Sequence, residues 1–467
     1  MSMIAETVDV DAALDRAQLR GLPLIVLVCS TVTLALDGFD IQLIGFVAPA
    51  LTAEFAVGRG ALAPALVASL IGMTLGGLGV GPLGDRLGRR MALLISTLLF
   101  GAGTLLGSTA SSLQVLAFWR LLAGIGLGGA LPNTTALMVE FSPPRWRSQA
   151  VAVANVGVPI GGMIGAAIAA ALLPLHGWRA MFALGGALPL IWFVMMYFIM
   201  PESPRYLATR RDKTRELVEI LNRIEGTARY AGGATFVLSS SSSGMGAARF
   251  GALFSRDLAR DTLAAWIIFG TNLFAVYAFF NWAPVALTAL GLDLASAVRG
   301  ALVFNFAGVI GALALSWAIS RFGSRRPLAV SAALAAGSSL YLAWLAQIMP
   351  ASAERHIPAP ALMAGIALAG FTICSIQVGM FAVSAHIYPT ECRASGVGWA
   401  LGIGRLGGMV SSFAGALLLA SKARETGFFV GIAAALVGTS FGLAVLRRHI
   451  PAPSRKPHVT SYTSYKF

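Results

Sequence analysis

Charged residues are scarce in this sequence, although the chain is long. Asp, Glu, Lys and Arg make up 12% of the 467 residues, whereas hydrophobic residues make up 57%. Water-soluble domains carry about a quarter charged residues, and the mean hydropathy of this chain is +0.77. The composition therefore excludes a soluble fold and predicts a protein that crosses a membrane many times.

Cysteine and histidine are also rare. The three cysteines, Cys29, Cys374 and Cys392, are far apart and show neither metal-binding nor redox spacing. The five histidines have no metal-binding spacing either, and no pairing of a nucleophile with a base is visible. We therefore expect no metal, no cofactor and no enzymatic activity.

Long apolar runs occupy most of the chain, and a spanning helix needs about 20 such residues. Residues 1–21 contain four acidic residues before the first run and no basic leader, so they do not have the pattern of a cleaved signal peptide. The apolar runs lie near 22–51, 61–83, 91–109, 113–140, 149–173, 179–200, 262–290, 296–320, 327–349, 360–387, 394–420 and 426–446.

The twelve runs fall into two groups of six, separated by a polar stretch. We predict an all-α membrane protein with twelve transmembrane helices in two pseudo-symmetric six-helix bundles. The bundles cover 22–200 and 262–446. A short N-terminal segment precedes them, a linker with one short helix and a flexible part covers 201–261, and a tail covers 447–467.

The basic residues are distributed unevenly between the two sides of the predicted membrane. With the N-terminus inside, cytoplasmic segments hold 26 of the 34 Lys and Arg residues and the opposite side holds six. Basic residues favour cytoplasmic loops. We therefore expect a multi-pass plasma-membrane protein with both termini in the cytoplasm, and we attribute the net charge of +14 to topology rather than to nucleic-acid binding.

Corresponding loops of the two halves have similar sequences. The loop after span 2 contains Asp-Arg-Leu-Gly-Arg-Arg at 85–90, and the loop after span 8 contains Ser-Arg-Phe-Gly-Ser-Arg-Arg at 320–326. Repeats of this kind place a substrate site at the interface of the halves, near the membrane midplane, and allow alternating access by rocking.

Two carboxylates interrupt the first apolar run. Asp37 lies about 21 Å into that helix at about 1.5 Å per residue, and Asp40 follows on the same helical face. A charge in the bilayer centre is costly and usually faces an ion, proton or substrate path. We predict that this pair carries the coupled proton, the alternative being that the carboxylates only hold helices together.

Each half also contributes one arginine inside a span, Arg120 in span 4 and Arg405 in span 11. A guanidinium stays protonated and presents a planar donor fork that suits a carboxylate. We predict that one arginine binds an anionic substrate while the other balances an aspartate. Alternatively, either arginine could bond only to helix-end carbonyl groups.

Aromatic and amide side chains are concentrated in span 7. Tyr277 and Asn281 share a helical face, and Trp282 follows directly. An apolar pocket with a few polar groups suits a small aromatic acid. We predict substrate contacts for these three residues, although aromatic residues in membrane helices commonly serve packing.

The loop Gly-Pro-Leu-Gly-Asp-Arg-Leu-Gly-Arg-Arg at 81–90 resembles the loop 2–3 motif of the major facilitator superfamily. Pro-Glu-Ser-Pro-Arg-Tyr-Leu at 201–207 resembles a motif of its sugar-porter-like branches. The resemblance covers the whole twelve-span chain. The charges at Asp85, Arg86 and Arg89 could pair in one state of such a fold and separate in the other.

Within that superfamily, the sequence resembles the aromatic acid:proton symporter family. The resemblance rests on residues 37–40, 281–284, 388–396 and 402–405. It implies that a set of charged residues is needed for transport, namely Asp37, Asp40, Asp85, Arg120, Glu140, Arg393 and Arg405. We expect gating roles for Asp85, Arg86, Arg89, Glu140 and Arg393. The second half departs from the motif at Ser320, where an acidic residue would be expected.

The expected function is proton-coupled uptake of a small aromatic carboxylate by alternating access, driven by the proton gradient in a lipid bilayer and carried out by a monomer. A porter of nicotinate or another organic acid is one alternative. A sugar porter is another, although sugar sites favour clustered Gln and Asn residues. A sensor would need an additional folded domain, for which the linker and tail are too short.

Overall fold

The structure is a computed structural model, and the residues it describes are 7–16, 18, 20–143, 146–225, 230, 235–237, 250–348, 359–389, 392–421 and 423–452. Eleven of the helices in these ranges are long and apolar enough to span a membrane. The long helices are α2 (Leu22–Glu54), α3 (Ala63–Leu87), α4 (Arg89–Gly107), α5 (Leu113–Phe141), α7 (Gly157–Ile199), α10 (Ala259–Ala289), α11 (Leu294–Phe322), α12 (Arg325–Ile348), α13 (Ala359–Ile387), α14 (Arg393–Ala420) and α15 (Arg424–Val445). The short ones are α1 (Val10–Asp15), α6 (Arg147–Asn155), α8 (Pro204–Ala208) and α9 (Thr214–Glu225).

Helix α7 supplies two of the twelve predicted spans, because it reverses direction at Gly177. The backbone there has φ 70° and ψ −177°, outside the helical region. Before the reversal, Gly157 faces Thr31 and Gly161 faces Ala35, so this arm runs parallel to α2. After it, Trp178 bonds to Glu54 near the end of α2 and the second arm runs back along the same helix. The prediction of twelve spans is confirmed.

Close helix packing depends on glycine in this fold. A Cβ atom at Gly161 would lie 1.7 Å from the carbonyl oxygen of Ala35, and one at Gly45 would lie 1.9 Å from the carbonyl oxygen of Phe280. Lipid supplies no hydrophobic driving force between helices, so the helices associate largely through close packing. Small residues allow that packing because they let the backbones approach. Gly161 packs α7 on α2 within one half, whereas Gly45 packs α2 on α10 across the two halves.

The linker and the N-terminal segment pack together at one end of the first bundle. Strand β1 (Thr7–Asp9) pairs in parallel with β2 (Thr235–Val237), with Thr7 opposite Thr235. Apolar residues of α1 and α9, including Leu14 and Leu221, form one buried cluster. We call this end of the molecule the linker side. No pattern in the sequence predicts this strand pair.

The most extensive contacts between the two halves in the described part of the chain are those of α2 with α10, α3 with α14, and α7 with α11. The 3-10 turn Arg59–Leu62, at the end away from the linker side, also contacts α14. The halves therefore meet both near the middle of the helices and at the side opposite the linker.

Candidate functional site

Asp40 and Arg120 form a fully buried ion pair between α2 and α5. Nη1 of Arg120 donates to Oδ2 of Asp40 over 2.8 Å, and the side chains are 1% and 0% exposed. Nη2 of the same arginine donates to the backbone carbonyl of Asp40 and to Oγ of Ser69, over 3.2 and 3.1 Å. The two terminal nitrogens of Arg120 are thus committed to groups of its own half.

Asp37 lies midway along α2 and is 3% exposed. Its Oδ1 has no hydrogen-bond partner among the described residues. Asp37 lies within electrostatic range of Asp40 and of Arg405 from the other half. The predicted carboxylate pair is therefore asymmetric in the described part of the chain: Asp40 forms an ion pair with Arg120, and no ion pair to Asp37 is found.

Arg405 reaches across the interface from α14. Its Nη1 donates to the backbone carbonyl of Met73 on α3 over 3.2 Å. Gly77 on α3 leaves space for the guanidinium, because a Cβ atom there would lie 3.1 Å from Nη1. In this conformation Arg405 bonds to a carbonyl group in the middle of α3 rather than at a helix end, and it lies near Asp37.

The predicted residues of span 7 divide into two groups. Tyr277 and Asn281 line a small void together with Arg120, so side chains of both halves meet there. Asn281 also donates to Oγ of Ser412 over 3.3 Å. Trp282 lies elsewhere: it is fully buried against Gly415 of α14 and does not line the void.

The void between the halves is too small for a substrate. Its volume is about 10 Å³, which is enough for about one water molecule. Apolar side chains of the first half close it on one side, namely Ile41, Ile44, Leu66, Leu70 and Met73, and Tyr277 and Asn281 of the second half close it on the other. The structure therefore represents a closed arrangement of this site, and an organic ligand can enter only after the halves separate.

A second polar contact across the interface was not predicted. Gln42 and Asn305 exchange two hydrogen bonds, of 3.2 and 2.8 Å, that join α2 to α11. Both side chains are buried, with exposures of 0% and 1%. Amide side chains commonly bond between membrane helices, but single amides in apolar runs show no pattern that predicts this pair from the sequence.

We expect Gln42→Leu to lower the free energy of unfolding by about 1–3 kcal/mol, because it leaves the buried Oδ1 of Asn305 without the donor that Gln42 supplies. Chemical unfolding of the purified protein in mixed micelles would measure this. The double variant Gln42→Leu/Asn305→Leu should recover much of the loss, since neither amide remains. An equal loss in the single and double variants would contradict the prediction.

The predicted gating residues of the first half lie together at the linker side. Arg89 forms an ion pair with Asp85, and its Nε lies 3.8 Å from Oε1 of Glu140. Glu140 also accepts a hydrogen bond from the hydroxyl of Ser203. Arg86 is exposed, and its carbonyl group accepts from Tyr206 and Arg210 of the linker. These bonds connect the turn after α3, the end of α5 and the start of the linker.

Glu202 completes this connection. Its carboxylate accepts from the backbone N–H groups of Ser203 and Arg90, over 2.8 and 3.0 Å. It occupies the space where a Cβ atom at Gly88, with φ 99°, would lie, so glycine is required there. Burial raises the pKa of the Glu202 carboxyl above its usual range, although the two N–H groups oppose that shift.

In the second half, a different segment contacts the equivalent turn. Ser324 and Ile450 exchange two hydrogen bonds of 2.9 Å, so the chain after α15 packs against the turn between α11 and α12. Burial lowers the pKa of His449, whose Nδ1 lies 3.2 Å from Oγ of Ser324. Arg393 begins α14, but its side chain lies outside the described part of the chain. Its gating role stays a prediction.

These features are those of a membrane protein built from two helical halves with buried charges at their interface. Residues 31–353 match the family model described as Major Facilitator Superfamily. The chain belongs to this superfamily. Within it, similarity to curated relatives places the chain in the aromatic acid:proton symporter family, as the sequence resemblance indicated. It is a multi-pass membrane transporter and not an enzyme.

Three relatives illustrate the similarity. The 4-hydroxybenzoate transporter of Acinetobacter baylyi is 36% identical, over 90% of this chain and 89% of the relative. The gallate transporter of Pseudomonas putida is 33% identical, over 88% and 89%. The 3-(3-hydroxy-phenyl)propionate transporter of Escherichia coli is 28% identical, over 88% and 91%.

Solved structures of the same fold include a D-xylose–proton symporter. It has a TM-score of 0.69 at 16% identity and covers 92% of this chain and 98% of its own. The inward-open xylose transporter of E. coli also has a TM-score of 0.69, at 17% identity and with coverage of 91% and 96%. These similarities establish the fold, and the predicted fold class is confirmed.

Proposed function

We propose that the protein imports a small aromatic carboxylate together with one or more protons by alternating access. The linker side then faces the cytoplasm, because most Lys and Arg residues lie on that side. The single observation that carries this proposal is the arrangement of Asp37 and Arg405, a buried carboxyl without a hydrogen-bond donor on Oδ1 near a cation from the opposite half. The aromatic carboxylates in the names of the relatives support the substrate class.

In this proposal Arg405, rather than Arg120, binds the substrate carboxylate. Arg120 uses both terminal nitrogens on Asp40 and its surroundings. Among the described residues, Arg405 donates through one nitrogen, to a backbone carbonyl. That bond joins α14 to α3, so it breaks when the halves separate and leaves the guanidinium free for the incoming anion.

The aromatic ring then lies between the halves, against Tyr277 and the apolar residues of the void. Asn281 adds a polar group at the same place. A mostly apolar pocket with a few polar groups is typical of small-molecule sites. Asp37 carries the proton in this proposal, because its buried Oδ1 accepts no hydrogen bond from the described residues, and burial without a donor disfavours the charged form of a carboxyl.

The proposal is tested by uptake of labelled 4-hydroxybenzoate into cells that express the protein, with and without an uncoupler. Benzoate, gallate, nicotinate and xylose serve as competitors. We expect inhibition by aromatic acids, no inhibition by xylose, and loss of accumulation when the proton gradient collapses. Accumulation that persists without the gradient would overturn symport, and inhibition by xylose alone would overturn the substrate class.

Arg405→Ala should weaken binding of the aromatic acid by roughly 10- to 100-fold, the effect expected when a charged hydrogen-bonding partner is removed. Binding is measured by calorimetry on purified protein. Arg405→Lys is the matched control: it keeps the charge but loses the planar fork, so we expect partial binding. Unchanged affinity in the alanine variant would assign the carboxylate to another residue.

A further inference from the structure

Thr104 on α4 hydrogen-bonds directly to the buried ion pair of Asp40 and Arg120. No pattern in the sequence predicts this contact. Its hydroxyl donates to Oδ1 of Asp40, the oxygen that Arg120 does not reach. The Thr104 side chain is 0% exposed. Asp40 therefore receives one donor on each oxygen, and the donors come from two different helices, α4 and α5.

Asp37, by contrast, has no donor on Oδ1 among the described residues. The charged and titratable groups that face the two carboxyls, among the described residues, are Arg120 from α5, Tyr277 from α10 and Arg405 from α14. All the hydrogen bonds that we find to a carboxyl oxygen of the pair go to Asp40. A hydrogen bond donated to a carboxylate favours the charged form. Thr104 and Arg120 therefore favour the charged form of Asp40 but not that of Asp37, although the two carboxyls are only one helical turn apart.

We propose that Thr104 is a positioning residue that keeps Asp40 ionised and paired with Arg120 throughout the transport cycle, so that Asp37 alone takes up and releases the proton. This inference rests on the proposed proton-coupled transport and extends it. Two close carboxyls would otherwise titrate as one coupled pair. Thr104 separates their roles by supplying the second donor.

The hydrogen bond from Thr104 to Asp40 determines the direction in which the pH profile should move when the hydroxyl is removed. Without the hydroxyl, the ionised form of Asp40 loses a donor and Asp40 takes up a proton at higher pH. A protonated Asp40 no longer neutralises Arg120, so we expect transport to fail there. The acid-side limb of the pH profile should therefore move to higher pH by about one unit, the size expected for one lost charged hydrogen bond. The alkaline limb, which reports Asp37, should stay in place.

Two variants separate the effect of the Thr104 hydroxyl from the effect of the side chain's shape. Thr104→Val keeps the branched shape and lacks the hydroxyl, whereas Thr104→Ser keeps the hydroxyl and lacks the methyl group. Exchange of labelled 4-hydroxybenzoate is measured in proteoliposomes with the same pH on both sides, from pH 5 to 8.5. If the valine variant cannot be purified as a homogeneous protein, Thr104→Ala, which also lacks the hydroxyl, replaces it.

We expect the acid limb of the valine or alanine variant to move up by about one unit, while that of the serine variant matches the wild type. A profile of unchanged shape and lower amplitude in the variant without a hydroxyl would overturn the inference, because a merely structural role would produce that result. An alkaline shift of both limbs would also overturn it. If uptake by the wild type is unaffected by an uncoupler, the proposed symport is refuted instead. Failure of the symport proposal and failure of the inference about Thr104 are therefore distinguishable.

Discussion

Asp37→Asn should abolish accumulation of the aromatic acid while leaving the protein folded. The asparagine side chain has nearly the shape of a protonated aspartate, so a site that binds the neutral carboxyl accepts it. It cannot release a proton, however, and a carrier without a coupled ion can only equilibrate its substrate. The ratio of internal to external substrate should therefore fall to about 1.

The measurement is uptake of labelled substrate into vesicles with an imposed proton gradient, followed by counterflow without a gradient. Counterflow should persist in Asp37→Asn, because it requires substrate exchange but no net proton movement. Asp37→Glu, which keeps a titratable carboxyl, is the matched control and should retain some accumulation. Gradient-driven accumulation by Asp37→Asn at the wild-type level would remove this residue from the coupling mechanism.

The sequence predicts the location of the charges better than their pairing. The spacing of Asp37 and Asp40 and their depth in the first span are sufficient to place both carboxyls inside the protein. Which arginine pairs with which aspartate depends on how α5 and α14 are rotated and how closely they approach α2. Those are properties of packing between helices far apart in the chain. Asp40 and Arg120, for example, are 80 positions apart.

The contacts of uncharged residues are harder to predict from the sequence. Thr104 lies in an ordinary apolar run and acquires its role only because α4 brings it next to Asp40. Trp282 belongs to the same aromatic stretch as Tyr277, yet the helix turns it toward Gly415 and away from the void. Hydropathy indicates that a segment spans the membrane, but it does not indicate which side of a uniformly apolar helix faces the centre.

The fold followed from the sequence more completely. Apolar runs of spanning length predicted all twelve segments, including the two that α7 joins through Gly177. The pairing of β1 with β2 could not be predicted, because three-residue strands from opposite ends of the first 240 residues have no recognisable alternation. Likewise, the contact between Ile450 and the turn at Ser324 depends on a tail whose sequence shows no motif.

Arg120→Leu should destabilise the protein strongly, even though leucine is more compatible with an apolar interior than arginine. The change leaves Asp40 buried with only Thr104 as a donor, and an unpaired buried charge costs about 3–5 kcal/mol. Removal of the guanidinium also removes the hydrogen bonds that Arg120 donates to Ser69 and to the backbone carbonyl of Asp40. Chemical unfolding of the purified protein in mixed micelles, compared with the wild type, measures the loss.

The double variant Arg120→Leu/Asp40→Asn separates the cost of the unpaired charge from the value of the pair itself. Both charges are then absent, and a buried ion pair replaced as a whole is often close to neutral in stability. We therefore expect the double variant to be more stable than Arg120→Leu while remaining inactive in transport. If both variants were equally unstable, the destabilisation would come from lost packing of Arg120, and the asymmetry between a fixed Asp40 and a titrating Asp37 would lose its energetic basis.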